Sequence, residues 1–244
     1  MNDKPDLGEQ ALDKVAEIAI SSQLDEAEEV DVDIRTDPGN LIQGKLNSVG
    51  VSGEGMTMKR DLRVEAVQME TDAVAIDPLK SMTGELELTK PLNAKTRILL
   101  TETDLNRALK SDYLRPKMQG LEIRHEDKVI PINIEAATVH LQENGQIRSD
   151  ASLFLIETNE RKRLTSTLVP SIKEDGNKIQ LEIISAEGEG LSLEFLTVLF
   201  EQIVELLDLR NFDLGGNALK LQRIDVRPTK IFLQATATMR KLPK

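Results

Sequence analysis

The pattern of apolar and polar residues changes its period twice along the chain. From Leu7 to about Ser22, apolar residues recur with a helical period and leave the acidic residues on the opposite side, which predicts an amphipathic N-terminal helix. After Val30 the period becomes two, as in VDVDIR and LRVEAVQME, which is typical of β-strands. Short turn signals such as Asn144-Gly145 separate these runs. The sequence therefore predicts an antiparallel meander of about ten or more strands.

Local signals place turns and a short helix between the strands. Thr101-Glu102-Thr103-Asp104 resembles a capping box and predicts a helix that continues to about Lys110. Gly53-Glu54-Gly55 and Asp175-Gly176-Asn177 predict turns, and Arg227-Pro228-Thr229 joins the last two strand-like runs.

The most apolar stretch of the chain runs from Leu191 to Leu209. On a helical wheel its apolar residues cover an arc of roughly 220°, whereas a helix that rests on a flat sheet needs about 100°. We therefore expect this helix, with Ser192 as its N-cap, to be enclosed on more than one side. The predicted fold class is α+β: a long curved antiparallel sheet wrapped around this apolar C-terminal helix, with an amphipathic helix at the N-terminus.

No linker rich in glycine, serine or proline divides the chain, so we predict a single domain over residues 1–244. Within it, 1–115 and 116–244 are candidate pseudo-halves, each with a helix followed by strands. The chain has no residue-level repeat that would establish a duplication.

Composition excludes several classes of function. A formal net charge of -11 argues against a general nucleic-acid binder, and the absence of cysteine rules out disulfides and thiolate metal sites. His125 and His140 lack the spacing of zinc hydrolases, and Asp31 and Asp33 fit the solvent side of a strand. We predict no catalytic residue, no metal site and no cofactor, and therefore no enzyme.

The ends of the chain carry opposite charge. Residues 1–37 contain 3 basic and 12 acidic residues, and residues 210–244 contain 8 basic and 2 acidic ones. One interpretation is that the two ends lie close together and neutralise each other. The other is a basic patch that contacts anionic lipid headgroups or a membrane surface. The residues of that predicted patch are Arg223, Arg227, Lys230, Arg240, Lys241 and Lys244.

The chain has no apolar run long enough to span a bilayer and no secretory signal, so we expect a cytoplasmic protein with peripheral membrane contact. A curved sheet around an apolar helix can leave a groove that suits an acyl chain. The residues predicted to bind lipid there are Leu196, Leu199, Phe200, Ile203, Leu206 and Leu207. A fully packed core without a cavity is the alternative structure.

Two other functions stay open at this point. The chain can act as a scaffold or assembly factor that offers a sheet edge or an acidic surface to a protein partner. An enzyme on an acyl substrate is the weaker alternative, because the sequence shows no set of polar residues that would carry the reaction.

Several segments resemble one family. LGEQALDKVAEIAI, VDVDIRTDPGNLIQGKLNSVGVSGEG, DLRVEAVQMETDAVAIDPL and LTETDLNRAL are similar to the LmeA-like phospholipid-binding family, and EGEGLSLEFLTVLFEQIVELLDLRNFDL is similar to its cyanobacterial members. The most specific motifs are Asp77-Pro78-Leu79 and LTETDLNRAL. The resemblance implies a sheet curled about a helix, related in shape to tubular lipid-binding domains, and a phospholipid as partner. Characterised relatives are envelope proteins with an N-terminal export or anchor segment, which we do not find here.

Overall fold

A computed structural model describes residues 13–14, 16–17, 21, 24–41, 43–58, 61–77, 87–125, 128–173, 175–211 and 218–240, and antiparallel strands form most of this part of the chain. The strands are β1 (Leu24–Glu26), β2 (Glu29–Arg35), β3 (Lys45–Leu46), β4 (Ser48–Met58), β5 (Leu62–Thr71), β6 (Val74–Ala75), β7 (Leu92–Thr101), β8 (Leu121–His125), β9 (Lys128–Leu141), β10 (Ile147–Leu155), β11 (Glu160–Ile172), β12 (Ile179–Gly188), β13 (Ala218–Arg227) and β14 (Lys230–Met239). Helices α1 (Pro38–Leu41), α2 (Glu102–Ala108) and α3 (Leu193–Leu206) lie between them.

The strands form two large sheets and one small one. The first sheet has seven strands in the order β1-β4-β5-β7-β14-β13, with β2 also paired to β4, and the second has five in the order β12-β11-β10-β9-β8. Strands β3 and β6 form the small sheet. The predicted antiparallel β architecture with helices is confirmed. The prediction of one continuous sheet is wrong, because the C-terminal hairpin β13–β14 returns to pair with β7 instead of extending β12.

The turn predicted at Gly53-Glu54-Gly55 is not a turn, because these residues lie inside strand β4. The strand continues through Gly53-Glu54-Gly55 and pairs with β5 on both sides of it. Gly55 has a φ of 58°, and a Cβ atom at this position would lie 2.5 Å from the side chain of Glu28. The glycine therefore lets the strand bend against Glu28 without ending.

Two predicted hairpin turns are confirmed by their backbone conformation. Asn144 and Gly145 have φ values of 59° and 76°, and Gly176 has a φ of 72°. Pro78 and Leu79 of the Asp77-Pro78-Leu79 motif and most of the predicted N-terminal helix lie outside the described residues. At the N-terminus, the side chain of Asp13 accepts a hydrogen bond of 2.8 Å from the backbone amide of Ile34.

Helix α2 joins the two large sheets. The predicted capping box is confirmed: Thr101 is the N-cap, and its side chain accepts from the amide of Asp104. The Asp104 carboxylate, which is 1 % exposed, accepts a hydrogen bond of 2.7 Å from Arg63 on β5 in the first sheet. On the next turn, Asn106 bonds to the backbone of Val139 on β9 in the second sheet. The LTETDLNRAL motif thus has a structural role in this fold.

Side chains pack in three apolar clusters. The first sheet contributes a cluster around Val32 and Ile34, and the second sheet contributes one around Leu153 together with α3. The third cluster combines Leu141 of β9 with Val226 and Ile231 of the C-terminal hairpin. The hairpin therefore completes the first sheet while it packs on the second.

Candidate functional site

Helix α3 lies in the curl of the second sheet. It contacts β8 and β12, which are the two edge strands of that sheet, so the sheet bends around the helix. Gly190, with a φ of 69°, makes the turn that leads into α3. The side chain of Ser192 then accepts a hydrogen bond of 3.2 Å from the amide of Phe195, as expected for the N-cap.

The structure brings the predicted lipid-binding residues together along α3 but buries several of them. Leu199 is 0 % exposed, and Leu196 and Phe200 are buried with it against the second sheet. Ile203 packs at the margin of this cluster, and Leu206 and Leu207 are half-buried at the end of the helix. A ligand would contact Leu199 only after the helix and the sheet separate, because this side chain has no accessible surface.

A groove opens beside the N-terminal end of α3, next to β12. Its volume is about 620 Å³, and it is lined by Arg163, Thr165, Ala186, Glu187, Gly188, Glu189, Leu191, Leu193 and Leu196. This volume falls within the range of about 300–1,000 Å³ that is typical of small-molecule sites. Of the residues predicted from the helical wheel, Leu196 lines the groove. Leu193 also lines the groove but was not among the predicted lipid-binding residues; its side chain is 73 % exposed.

Polar groups occupy one side of this groove. Thr165 of β11 lies beside Glu187 of β12, and its hydroxyl donates a hydrogen bond of 2.7 Å to the carboxylate of Asp150 on β10. That hydrogen bond holds the pKa of Asp150 below its usual value. The groove therefore combines apolar side chains of the helix with hydrogen-bonding groups of the sheet, which is the lining expected for an amphipathic ligand.

The opposite end of α3 is fixed by charged residues. Asp208 is buried, and its carboxylate accepts hydrogen bonds from both the side chain and the backbone amide of Arg210. These hydrogen bonds lower the pKa of Asp208 to about 2. One turn earlier, Glu205 pairs with Lys178 at the start of β12. The C-terminal end of the helix is thus held to the sheet, while the N-terminal end borders the groove.

The residues of the predicted basic patch do not all lie together. Arg223, Arg227 and Lys230 are exposed on the hairpin β13–β14. Arg240 follows the far end of β14, about 30 Å from Lys230 at 3.3 Å per residue. Lys241 and Lys244 lie outside the described residues.

Among the described residues, no group of three or more histidine, aspartate or glutamate side chains is arranged to hold a metal ion. His140 lies at the surface with its Nδ1 atom 3.2 Å from Glu102. No helix in the described part of the chain is long and apolar enough to cross a membrane.

Comparison with known proteins identifies the family. The model of the LmeA-like phospholipid-binding family matches residues 4–236, which is nearly the whole chain. A search of curated proteins returned no match. The description of the family names phospholipid binding, which supports lipid binding and does not favour the scaffold hypothesis. From this match, the chain belongs to the LmeA-like phospholipid-binding family.

Proposed function

We propose that this protein binds one phospholipid with an acyl chain in the groove beside α3. The observation that carries the proposal is Leu193, a large apolar side chain that is 73 % exposed at the wall of the groove. Leucine in such a position loses contact with water when an acyl chain covers it. Leu191 and Leu196 extend the same apolar wall.

The other predicted lipid-binding residues of α3 pack behind this apolar wall. Leu199 and Phe200 pack in the same buried cluster as Leu196, and Ile203, Leu206 and Leu207 continue the apolar side of the helix. Each methylene group that moves from water into the groove contributes about 0.8 kcal/mol. The polar side chains at β11 and β12 remain available to the headgroup.

Shuttling of the lipid between membranes extends this proposal. The groove is open to solvent at the N-terminal end of the helix, so a bound chain can enter and leave without unfolding of the sheet. The whole chain acts as one lipid-binding domain, which agrees with the core cluster that both sheets share.

Native mass spectrometry of the gently purified protein tests the binding. We expect a co-purified phospholipid, and a fluorescent phospholipid should exchange between the protein and vesicles. Leu193→Gln should weaken uptake several-fold, and Ala186→Leu should do so by filling the groove. Ile156→Gln is the matched control, because Ile156 is also exposed, at 42 %, but does not line the groove. Protein that is empty and takes up no lipid would refute the proposal.

A further inference from the structure

Three neighbouring strands of the first sheet present basic side chains on one exposed face. Strand β14 lies between β7 and β13, and its register sets Arg97 and Arg223 on either side of Gln234. The next pair along the strands is Lys95 and Lys220, on either side of Thr236. Side chains at paired positions point to the same side of a sheet. We call this surface the basic face; its residues are Lys95, Arg97, Lys220, Arg223, Arg227 and Lys230.

The basic face is compact. Strands two apart are about 10 Å from each other, and the stretch from Lys95 to Thr101 covers about 20 Å, so six cations share an area of roughly 10 by 20 Å. All six residues are exposed. Asp225, which pairs with Arg227 at 2.8 Å, is the sole acidic residue within β7, β13 and β14, whose residues the structure describes in full.

An aromatic side chain lies among these cations. Phe232 is 36 % exposed, and the guanidinium group of Arg227 stacks on its ring at 4.9 Å from the centroid. An apolar ring surrounded by cations suits the boundary between headgroups and acyl chains.

The opposite side of the same sheet face is acidic. One register row runs from Asp31 on β2 through Ser52, Gln68, Arg97 and Gln234 to Arg223 on β13. The neighbouring row runs from Asp33 on β2 through Gly50, Glu70, Lys95 and Thr236 to Lys220 on β13, so that Glu70 on β5 is the acidic residue next to the basic face. The face is therefore polarised from β2 to β13.

We propose that the basic face docks this protein onto an anionic bilayer. The net charge of -11 does not prevent this, because charges more than about 10 Å from the surface are screened at about 0.1 M salt. The acidic side on β2 orients the protein so that β13 and β14 contact the membrane. Stacking with a second copy is disfavoured, since it would remove many charged groups from water with little apolar surface in return. This inference concerns the protein surface and does not depend on the lipid in the groove.

Vesicle co-sedimentation tests the docking. The variant carries Lys95→Gln, Arg97→Gln and Lys220→Gln, and the vesicles are phosphatidylcholine with or without phosphatidylserine. We expect the wild type to bind the anionic vesicles at about 0.1 M salt and to be released at about 1 M. Each cation near such a surface contributes about five-fold to binding, so the variant should bind roughly a hundred-fold more weakly.

A matched control removes the same charge elsewhere. Lys110→Gln, Arg124→Gln and Lys128→Gln neutralise three exposed cations outside the basic face and should leave vesicle binding nearly unchanged. Circular dichroism confirms that both variants fold, and native mass spectrometry should find the same lipid content in each. Equal binding by the wild type and the basic-face variant would overturn the proposal. The proposal would also fail if the wild type self-associates and the basic-face variant alone does not, because the basic face would then contact a second copy of the protein.

Discussion

Asn106 on helix α2 binds both backbone polar groups of Val139 on strand β9. Its amide nitrogen donates to the carbonyl oxygen of Val139 at 2.8 Å, and its amide oxygen accepts from the backbone N–H of Val139 at 2.9 Å. Strand β8 pairs with β9 only as far as Ile132, so the rest of that edge has no neighbouring strand among the described residues. Side chains of α2 supply hydrogen bonds to this edge of β9: besides Asn106, the carboxylate of Glu102 accepts a hydrogen bond of 2.8 Å from the amide of Leu141.

This arrangement predicts that Asn106→Ala is destabilising, because it leaves two backbone groups of Val139 without partners. A buried unsatisfied group costs about 1–3 kcal/mol, and we expect a loss in that range from urea unfolding. Thr103→Ala is the control, since Thr103 is exposed on the same helix and should change stability little. Equal stability of the two variants would contradict the strand-completing role of Asn106.

A second prediction concerns acid sensitivity at Asp104. Burial opposes ionisation of this carboxyl, but hydrogen bonds from Thr101 and Arg63 outweigh it and hold the pKa of Asp104 below its usual value. A lowered pKa stabilises the fold fully above about pH 4, and this contribution is lost as the pH falls through the folded-state pKa.

Asp104→Asn should therefore lower the free energy of unfolding at pH 7 by about 2–4 kcal/mol. Its stability should also depend less on pH in the acid range than that of the wild type. Denaturant unfolding at several pH values measures both effects. Parallel pH profiles for the two proteins would show that another group is responsible.

Leu199 and Leu193 should respond in opposite ways to truncation. Leu199→Ala leaves a cavity in the core, and we expect it to cost about 3–5 kcal/mol of stability. Leu193→Ala removes an exposed side chain and should leave stability nearly unchanged while it reduces lipid uptake. Unfolding and lipid-exchange measurements on both variants separate the two roles. Strong destabilisation by Leu193→Ala would show that this residue is structural.

The pairing of Asp208 with Arg210 can be tested by measuring the pKa of the Asp208 carboxyl. Because hydrogen bonds from Arg210 lower the pKa of Asp208 to about 2, Arg210→Gln should raise it toward the usual value of about 3.9. NMR titration of the Asp208 carboxyl measures the shift. In the wild type the stabilisation from this carboxylate is present above about pH 4 and is lost as the pH falls toward 2. An unchanged pKa in the variant would refute the assigned pair.

Features that depend on neighbouring residues could be predicted from the sequence. The capping box at Thr101, the N-cap at Ser192 and the hairpin at Asn144 require only local backbone chemistry, and the structure contains all three. The turn predicted at Gly53-Glu54-Gly55 was wrong because β4 pairs with β5 on both sides of these residues, and that pairing involves residues that are distant in sequence.

Features that depend on strand order could not be predicted. Lys95 and Lys220 share a surface because β7 and β13 flank β14, and no local pattern indicates this pairing. The helical wheel identified the apolar side of α3, but the curl of the second sheet determines that Leu199 is fully buried while Leu193 is exposed. The exposure of Leu193 had one local signal, its position directly after the cap residue Ser192.

The pairing of β7 with β14 sets an order for biosynthesis. Leu92 pairs with Met239, so an emerging nascent chain holds the edge of β7 open until β14 has been synthesised. Strands β8 to β12 are each adjacent to the next in sequence and can assemble earlier, because their contacts are local. During translation the β7 edge is unprotected and is exposed to mispairing with other chains.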